Sequence, residues 1–195
     1  MARIPDSALD QLFLEARTQN VWHEEPLPAG TLHQLYDLLK MGPTSANCSP
    51  ARFLFCESRD SRERLAACVS DGNRDKVRQA PVTVIIGQDL RFLDRLPELF
   101  PHTDAKSWFE GNEPLIRETA FRNASLQGAY LIMAARALGL DCGPMSGFDR
   151  KKVDEAFWAG TTVETNFLCS IGHGTGEKVF PRSPRLPFDE ACRIL

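Results

Sequence analysis

The sequence predicts an α+β fold in which one sheet is wrapped by helices. Three observations predict it. Phe53-Leu54-Phe55-Cys56, Val82-Thr83-Val84-Ile85-Ile86 and Phe167-Leu168-Cys169-Ser170-Ile171-Gly172 are short apolar runs rich in β-branched and aromatic residues, as buried strands are. Long stretches of helical periodicity separate them. The longest runs from Pro114 to Leu138, about 37 Å at ~1.5 Å per residue, with Ala120, Phe121, Ala124, Gly128, Leu131, Ile132, Ala135 and Leu138 inward. Small residues around much of its girth permit close packing, so this central helix can be shared with a partner subunit. Gly139 follows as its left-handed cap.

The remaining elements follow in order. Leu9, Leu12, Phe13 and Ala16 make Asp6 to Arg17 an amphipathic helix. Pro26, Pro28 and Gly30 mark a loop. Thr31-Leu32-His33-Gln34 has capping-box spacing and opens a second helix, with Leu32, Leu35, Tyr36 and Leu39 on one side, that Gly42-Pro43 stops. Asp60-Ser61-Arg62-Glu63 caps a helix to Ser70, with Leu65, Cys68 and Val69 inward, and residues 71–76 read as a polar turn. Residues 88–112 form an aromatic-rich insertion broken by Pro97 and Pro101, read either as a cover or as a helical excursion on the core. Residues 141–149 read as a glycine- and proline-rich turn, with Asp149 capping a short helix that holds Val153, Ala156 and Phe157. The tail, residues 173–195, is extended, proline-punctuated and carries Lys178, Arg182 and Arg185.

Composition narrows the classes. The 195 residues suit a single domain over 1–195, and 43% hydrophobic with 25% charged content suits a packed core. A net charge of −3 favours neither a nucleic acid nor an anionic membrane as partner. Met1-Ala2-Arg3-Ile4-Pro5-Asp6 lacks the apolar stretch of a secretion signal, and no run approaches the roughly 18 apolar residues of a spanning helix. The six cysteines are scattered without a C-x-x-C and read as reduced thiols, so a cytoplasmic location is expected. The four histidines show no metal-ligand spacing, and no metal is expected.

The most unusual stretch is Met41 to Phe53. Pro43 and Pro50 fix φ and cannot donate backbone hydrogen bonds, so the segment between them should be rigid and exposed. Thr44, Ser45, Asn47 and Ser49 crowd hydroxyl and amide groups onto it. It reads equally as a polar turn before a strand and as a cradle for an anionic or heterocyclic ligand. Cys48 within it is a possible nucleophile for which the sequence supplies no neighbouring base. No dinucleotide, P-loop or hydrolase fingerprint is present, which points to chemistry carried by a bound cofactor.

Six segments stand in a telling order: Arg17-Thr18-Gln19-Asn20, Pro43 to Pro50, Asn73-Arg74-Asp75-Lys76, the helix ending Ala137-Leu138-Gly139-Leu140, Gly143-Pro144-Met145-Ser146-Gly147, and Arg185-Leu186-Pro187. Together they resemble the motifs of the FMN-dependent nitroreductase family over nearly the whole chain. Gly42 to Arg52, Ser107-Trp108-Phe109, Glu118 to Asn123 and Gly143 to Asp149 further resemble the branch containing the malonic semialdehyde reductase of pyrimidine catabolism.

The resemblance implies a central, mainly antiparallel sheet and a homodimer with FMN sites at the interface, the long helix lying there. It implies ping-pong hydride transfer through flavin N5 from NADH or NADPH, with no catalytic side chain. The acceptor would be an aldehyde, malonic semialdehyde above all, with a quinone or nitroaromatic as the alternative; a flavin-binding protein with little turnover is a further one. Carried over, Arg17, Thr18 and Asn20 would line the ribityl-phosphate and pyrimidine side, Asn73 the N5/O4 edge, and Lys76 the N1/O2 edge. Pro144, Met145, Ser146 and Gly147 would lie against the ring, and Arg185 would hold the phosphate. Pro43, Thr44, Ser45 and Asn47 would come from the other subunit. Ala16 stands where the family usually has a second basic residue, and Asn20 where it has a base, so phosphate affinity is expected to lean on Arg17 and Arg185.

Overall fold

The computed structural model describes residues 2–195. Its strands are β1 (Ala51–Cys56), β2 (Val82–Asp89), β3 (Asp141–Met145) and β4 (Val163–Gly172). They form one antiparallel sheet in the order β1-β2-β4-β3. The middle stretches of the two central strands are largely apolar on both faces because helices cover both, and the buried hydroxyls of Thr83 and Ser170 bond each other at 2.8 Å. Alternation sends Val84 and Ile86 toward α2 (Thr31–Leu39) and α6 (Glu113–Ala137), where Leu35, Leu39, Leu131 and Ala135 are buried with them. It sends Ile85 and Leu168 to the other face, against Leu65 of α3 (Arg59–Ala66), Val77 of α4 (Asp71–Gln79) and Val153 of α7 (Arg150–Phe157). Each fully buried side chain of this kind contributes ~1.5–3 kcal/mol.

The long helix begins one residue before its expected start, capped by Asn112, whose side chain accepts the Leu115 N–H at 3.2 Å. At its other end Gly139 has φ +77°, the Gly139 N–H reaches the Arg136 carbonyl and the Leu140 N–H reaches that of Ala135. Those paired bonds are the left-handed stop expected there. Asp149 caps α7 by accepting the Lys152 N–H.

Several local expectations are corrected. The first helix is α1 (Asp6–Leu9) followed by a π-helical turn over Asp10–Leu14, and it buries nothing; Phe13 and Leu14 face solvent, so no inward face extends it to Arg17. Gly30, at φ +86°, precedes α2, and Thr31 makes no cap bond. Ser58, not Asp60, caps α3, accepting the Ser61 N–H. Residues 71–76 are not a turn but the body of α4. Only Val77 anchors that helix in the core; Asp71–Arg74 and Asp75–Arg78 ion pairs line its outside, and Pro81 ends it. Residues 141–145 are an edge strand, with Cys142 and Met145 buried and Pro144 exposed where an edge tolerates it. Phe121 points outward at 57% exposure, and Leu126 and Tyr130 of α6 are exposed too.

Residues 88–112 hold two 3₁₀ turns, Phe92–Arg95 and Lys106–Trp108, with α5 (Leu96–Leu99) between them. Phe92, Leu96, Ala105 and Phe109 pack with Cys48, Ile116 and Ala120 into a third core cluster, while Trp108 stays half exposed. Beyond β4 the tail is extended and exposed apart from α8 (Phe188–Ala191). No helix among the described residues is long and apolar enough to cross a membrane.

Candidate functional site

The outer edge of β3 organises the site. Residues 17–22 lie along it: Gln19 N–H donates to the Cys142 carbonyl at 3.1 Å, Thr18 bridges Cys142, and Trp22 bridges Gly174. The approach needs a glycine, since a Cβ at Gly143 would sit 2.8 Å from the Gln19 carbonyl oxygen. The tail then returns across this segment. Asn20 Nδ2 donates to the Lys178 carbonyl at 2.8 Å, Arg17 to that of Phe180, and Arg182 to that of Leu14.

Between segment and tail lies a cavity of about 410 Å³, and in it Arg17, Thr18, Asn20 and Arg185 meet. Arg136 and Arg182 line it too, and among the described residues no carboxylate does. All four guanidiniums donate to main-chain carbonyls, Arg136 to that of Leu12 at 2.8 Å and Arg185 to that of Ser183 at 2.9 Å. Four uncompensated cations around one concavity make a site for an anion.

A second cavity, about 620 Å³, shares Asn20, Val179, Phe180 and Pro181 with the first and is lined on its far side by Gly72, Asp75 and Lys76 of α4. Lys76 is half-buried, and burial pulls its pKa down from the usual lysine value. One turn earlier Asn73 Nδ2 donates to the Gly147 carbonyl at 3.0 Å, and Ser70 adds its backbone N–H and hydroxyl to the same oxygen. A Cβ on Gly147 would meet Asn73 Nδ2 and Ser70 Oγ at 2.7 Å each, so this closeness requires glycine. Met145 is buried at the end of β3, while Pro144 and Ser146 are exposed beside it. α4, the turn after β3 and the 17–22 segment thus bring seven of the candidate residues, with Pro144 and Met145 on β3 and Arg185 from the tail, to one side of the molecule.

Pro43, Thr44, Ser45 and Asn47 are elsewhere. They precede β1, at the opposite edge of the sheet from β3, about 14 Å away at ~4.8 Å per strand spacing. Their loop is held in an unusual shape: Ala46, Asn47 and Ser49 all have positive φ, at 48°, 48° and 38°. Buried amides of α6 clamp it, Asn123 Oδ1 accepting the Ser45 N–H at 2.8 Å and Gln127 Oε1 the Ala51 N–H at 2.9 Å. Asn47 Nδ2 donates to the Leu99 carbonyl at 2.9 Å. Cys48 points into the third core cluster, and burial pushes its thiol up to about 11, which leaves no thiolate for attack at neutral pH.

Sequence reasoning missed Asn123, Gln127 and Arg136. Asn123 and Gln127 carried a readable signal, polar groups on the inward stripe of a helix that must find partners. Arg136 carried none, because a lone arginine near a helix end reads as a solvated cation.

The Nitroreductase family profile matches residues 15–173. A relative from Burkholderia lata, provisionally named NADH dehydrogenase/NAD(P)H nitroreductase, is 60% identical over 194 residues, covering all of both chains. Among solved structures, a provisionally named nitroreductase from Bacillus subtilis superposes with TM-score 0.89 at 22% identity, covering 98% of this chain and 100% of that one. Another from Exiguobacterium sibiricum, described in complex with FMN, gives TM-score 0.84 at 18% identity, covering 100% and 99%.

Proposed function

The chain belongs to the Nitroreductase family, and from that premise we propose that it is an FMN-dependent NAD(P)H oxidoreductase whose acceptor is malonic semialdehyde, reduced to 3-hydroxypropionate. One observation carries the cofactor assignment: a cavity lined by four arginines shares a wall with a second cavity edged by Lys76. A dianionic phosphate suits the first. A planar ring that gains negative charge on reduction suits the second, where a half-buried ammonium stabilises that charge more than in water. Both volumes lie in the usual range for cofactor sites.

Arg17 and Arg185 would hold the phosphate, with Thr18 and Asn20 along the ribityl and pyrimidine side. Asn73 and Lys76 would meet the polar edges of the ring, and Pro144, Met145, Ser146 and Gly147 would pack against it. When bound, FMN supplies ping-pong two-electron transfer from NAD(P)H to the acceptor. The protein's share is orientation and electrostatics, and no side chain serves as acid, base or nucleophile.

The working form is a cytoplasmic homodimer. Two features support the dimer: the exposed Tyr130 of α6 lies against Gly42, next to the exposed Met41, and Pro43, Thr44, Ser45 and Asn47 stand apart from the arginine cavity of their own chain. In a dimer that loop would complete the partner's site.

The acceptor assignment rests on the branch motifs at 42–52, 107–109, 118–123 and 143–149. A quinone or nitroaromatic acceptor is the second reading, favoured by the provisional name of the Burkholderia lata relative. The test is kcat/KM for malonic semialdehyde, a quinone and a nitroaromatic, with NADH and with NADPH, on chain reconstituted with FMN. Highest efficiency for the semialdehyde is expected. No retained flavin and no NAD(P)H consumption would overturn the whole reading.

A further inference from the structure

We propose that Arg136 of α6 and Arg182 of the tail are phosphate-recognition residues that make the site select FMN over unphosphorylated riboflavin. The proposal rests on the flavin reading above. Ala16 stands where a second basic residue was expected beside Arg17, yet the cavity holds four guanidiniums rather than two.

Arg136 is the informative one. It belongs to a 25-residue helix, its backbone carbonyl takes the Gln11 side-chain amide at 2.6 Å, and its own Nη1 donates to the Leu12 carbonyl. Those bonds fix it in place but use a fraction of a guanidinium's five N–H donors. A half-buried arginine with no anion beside it carries a desolvation cost that a dianion would offset. Arg182 reaches the same cavity from the other wall, donating to the Leu14 carbonyl and, at 3.4 Å, to that of Ala16. A fixed cation on a helix and a second on an exposed tail thus line one concavity with Arg17, the second reaching the backbone of position 16, which supplies no charge of its own.

If these arginines only suture the tail and first helix to α6, losing one should weaken all flavins alike. If they read the phosphate, only FMN should suffer. The experiment titrates the full chain, stripped of flavin, with FMN and with riboflavin, following flavin fluorescence. Arg136→Gln is expected to raise the FMN Kd about ten-fold or more, as loss of a charged hydrogen bond does, and to leave the riboflavin Kd unchanged. Arg182→Gln should act in the same direction, and Arg136→Lys should recover part of the loss. Raising salt should narrow the FMN-to-riboflavin gap of the wild type. Equal loss for both flavins, or no loss for FMN, would overturn the proposal. Uptake of neither flavin by the wild type would overturn the flavin reading itself, and this proposal with it.

Discussion

Asn73 reaches the carbonyl of Gly147 at 3.0 Å and so ties α4 to the turn that follows β3. The bond joins two segments 74 residues apart and depends on the missing Cβ of Gly147.

Asn73→Ala and Gly147→Ala should therefore report one defect. Each removes or displaces the same bond, costing about 1 kcal/mol of stability and weakening FMN retention. A double mutant should cost no more than the larger single change, because neighbours sharing an interaction are not additive. Fully additive losses in thermal unfolding would mean that the two residues act separately.

Lys76 should trade stability against binding. Its lowered pKa means that burial disfavours the ammonium, and this penalty on the fold is full below the folded pKa and fades as pH rises from there toward the unfolded value near 10.5. Lys76→Gln should leave the melting temperature of the flavin-free chain unchanged or raised, while weakening FMN binding about ten-fold. A lowered melting temperature with intact binding would contradict this.

Asn123 should matter to the loop before it matters to the core. Asn123→Ala leaves the Ser45 N–H without its partner, at about 1–3 kcal/mol. That corresponds to a melting-point loss of roughly 3–10 °C in a domain this size. Because three positive-φ residues lie next to that clamp, proteolytic cleavage within residues 44–49 should speed up more than global unfolding does. Unchanged cleavage would show that the loop holds its shape alone.

The buried thiols should make the fold sensitive to alkali. Burial pushes Cys48 and Cys56 up to about 11 from 9.0. A raised folded pKa gives stability that is full below about pH 9 and lost as pH passes through 11. The melting temperature should be flat between pH 7 and 8.5 and fall toward pH 11, less steeply after Cys48→Ala with Cys56→Ala. At neutral pH iodoacetamide should label exposed Cys192 alone, and Cys48→Ala should keep NAD(P)H oxidation. Abolished turnover would revive a cysteine nucleophile.

The central strands were legible because Val82 to Ile86 is β-branched throughout and apolar but for Thr83, a pattern that suits a strand buried on both faces. The long helix was legible from its small-residue stripe and from Gly139. α4 was not, because one core contact in nine residues leaves no periodicity to read. Gly143-Pro144 looked like a turn, whereas Gly143 serves close approach by residues 17–22 and Pro144 sits on an edge that accepts it. Much of the candidate site could be named from ordered motifs. The positive φ of Ala46 and Ser49 could not, since neither residue type favours it, and the clamp that imposes it comes from 74 or more residues downstream.

The wall shared by both cavities, Val179 to Pro181, lies downstream of all four strands. Every residue of the sheet and of the three apolar clusters therefore precedes that wall in the chain. The core and the capacity to bind are thus separable along the chain, and a chain cut between Gly172 and Val179 should keep its core but lose both compartments at once.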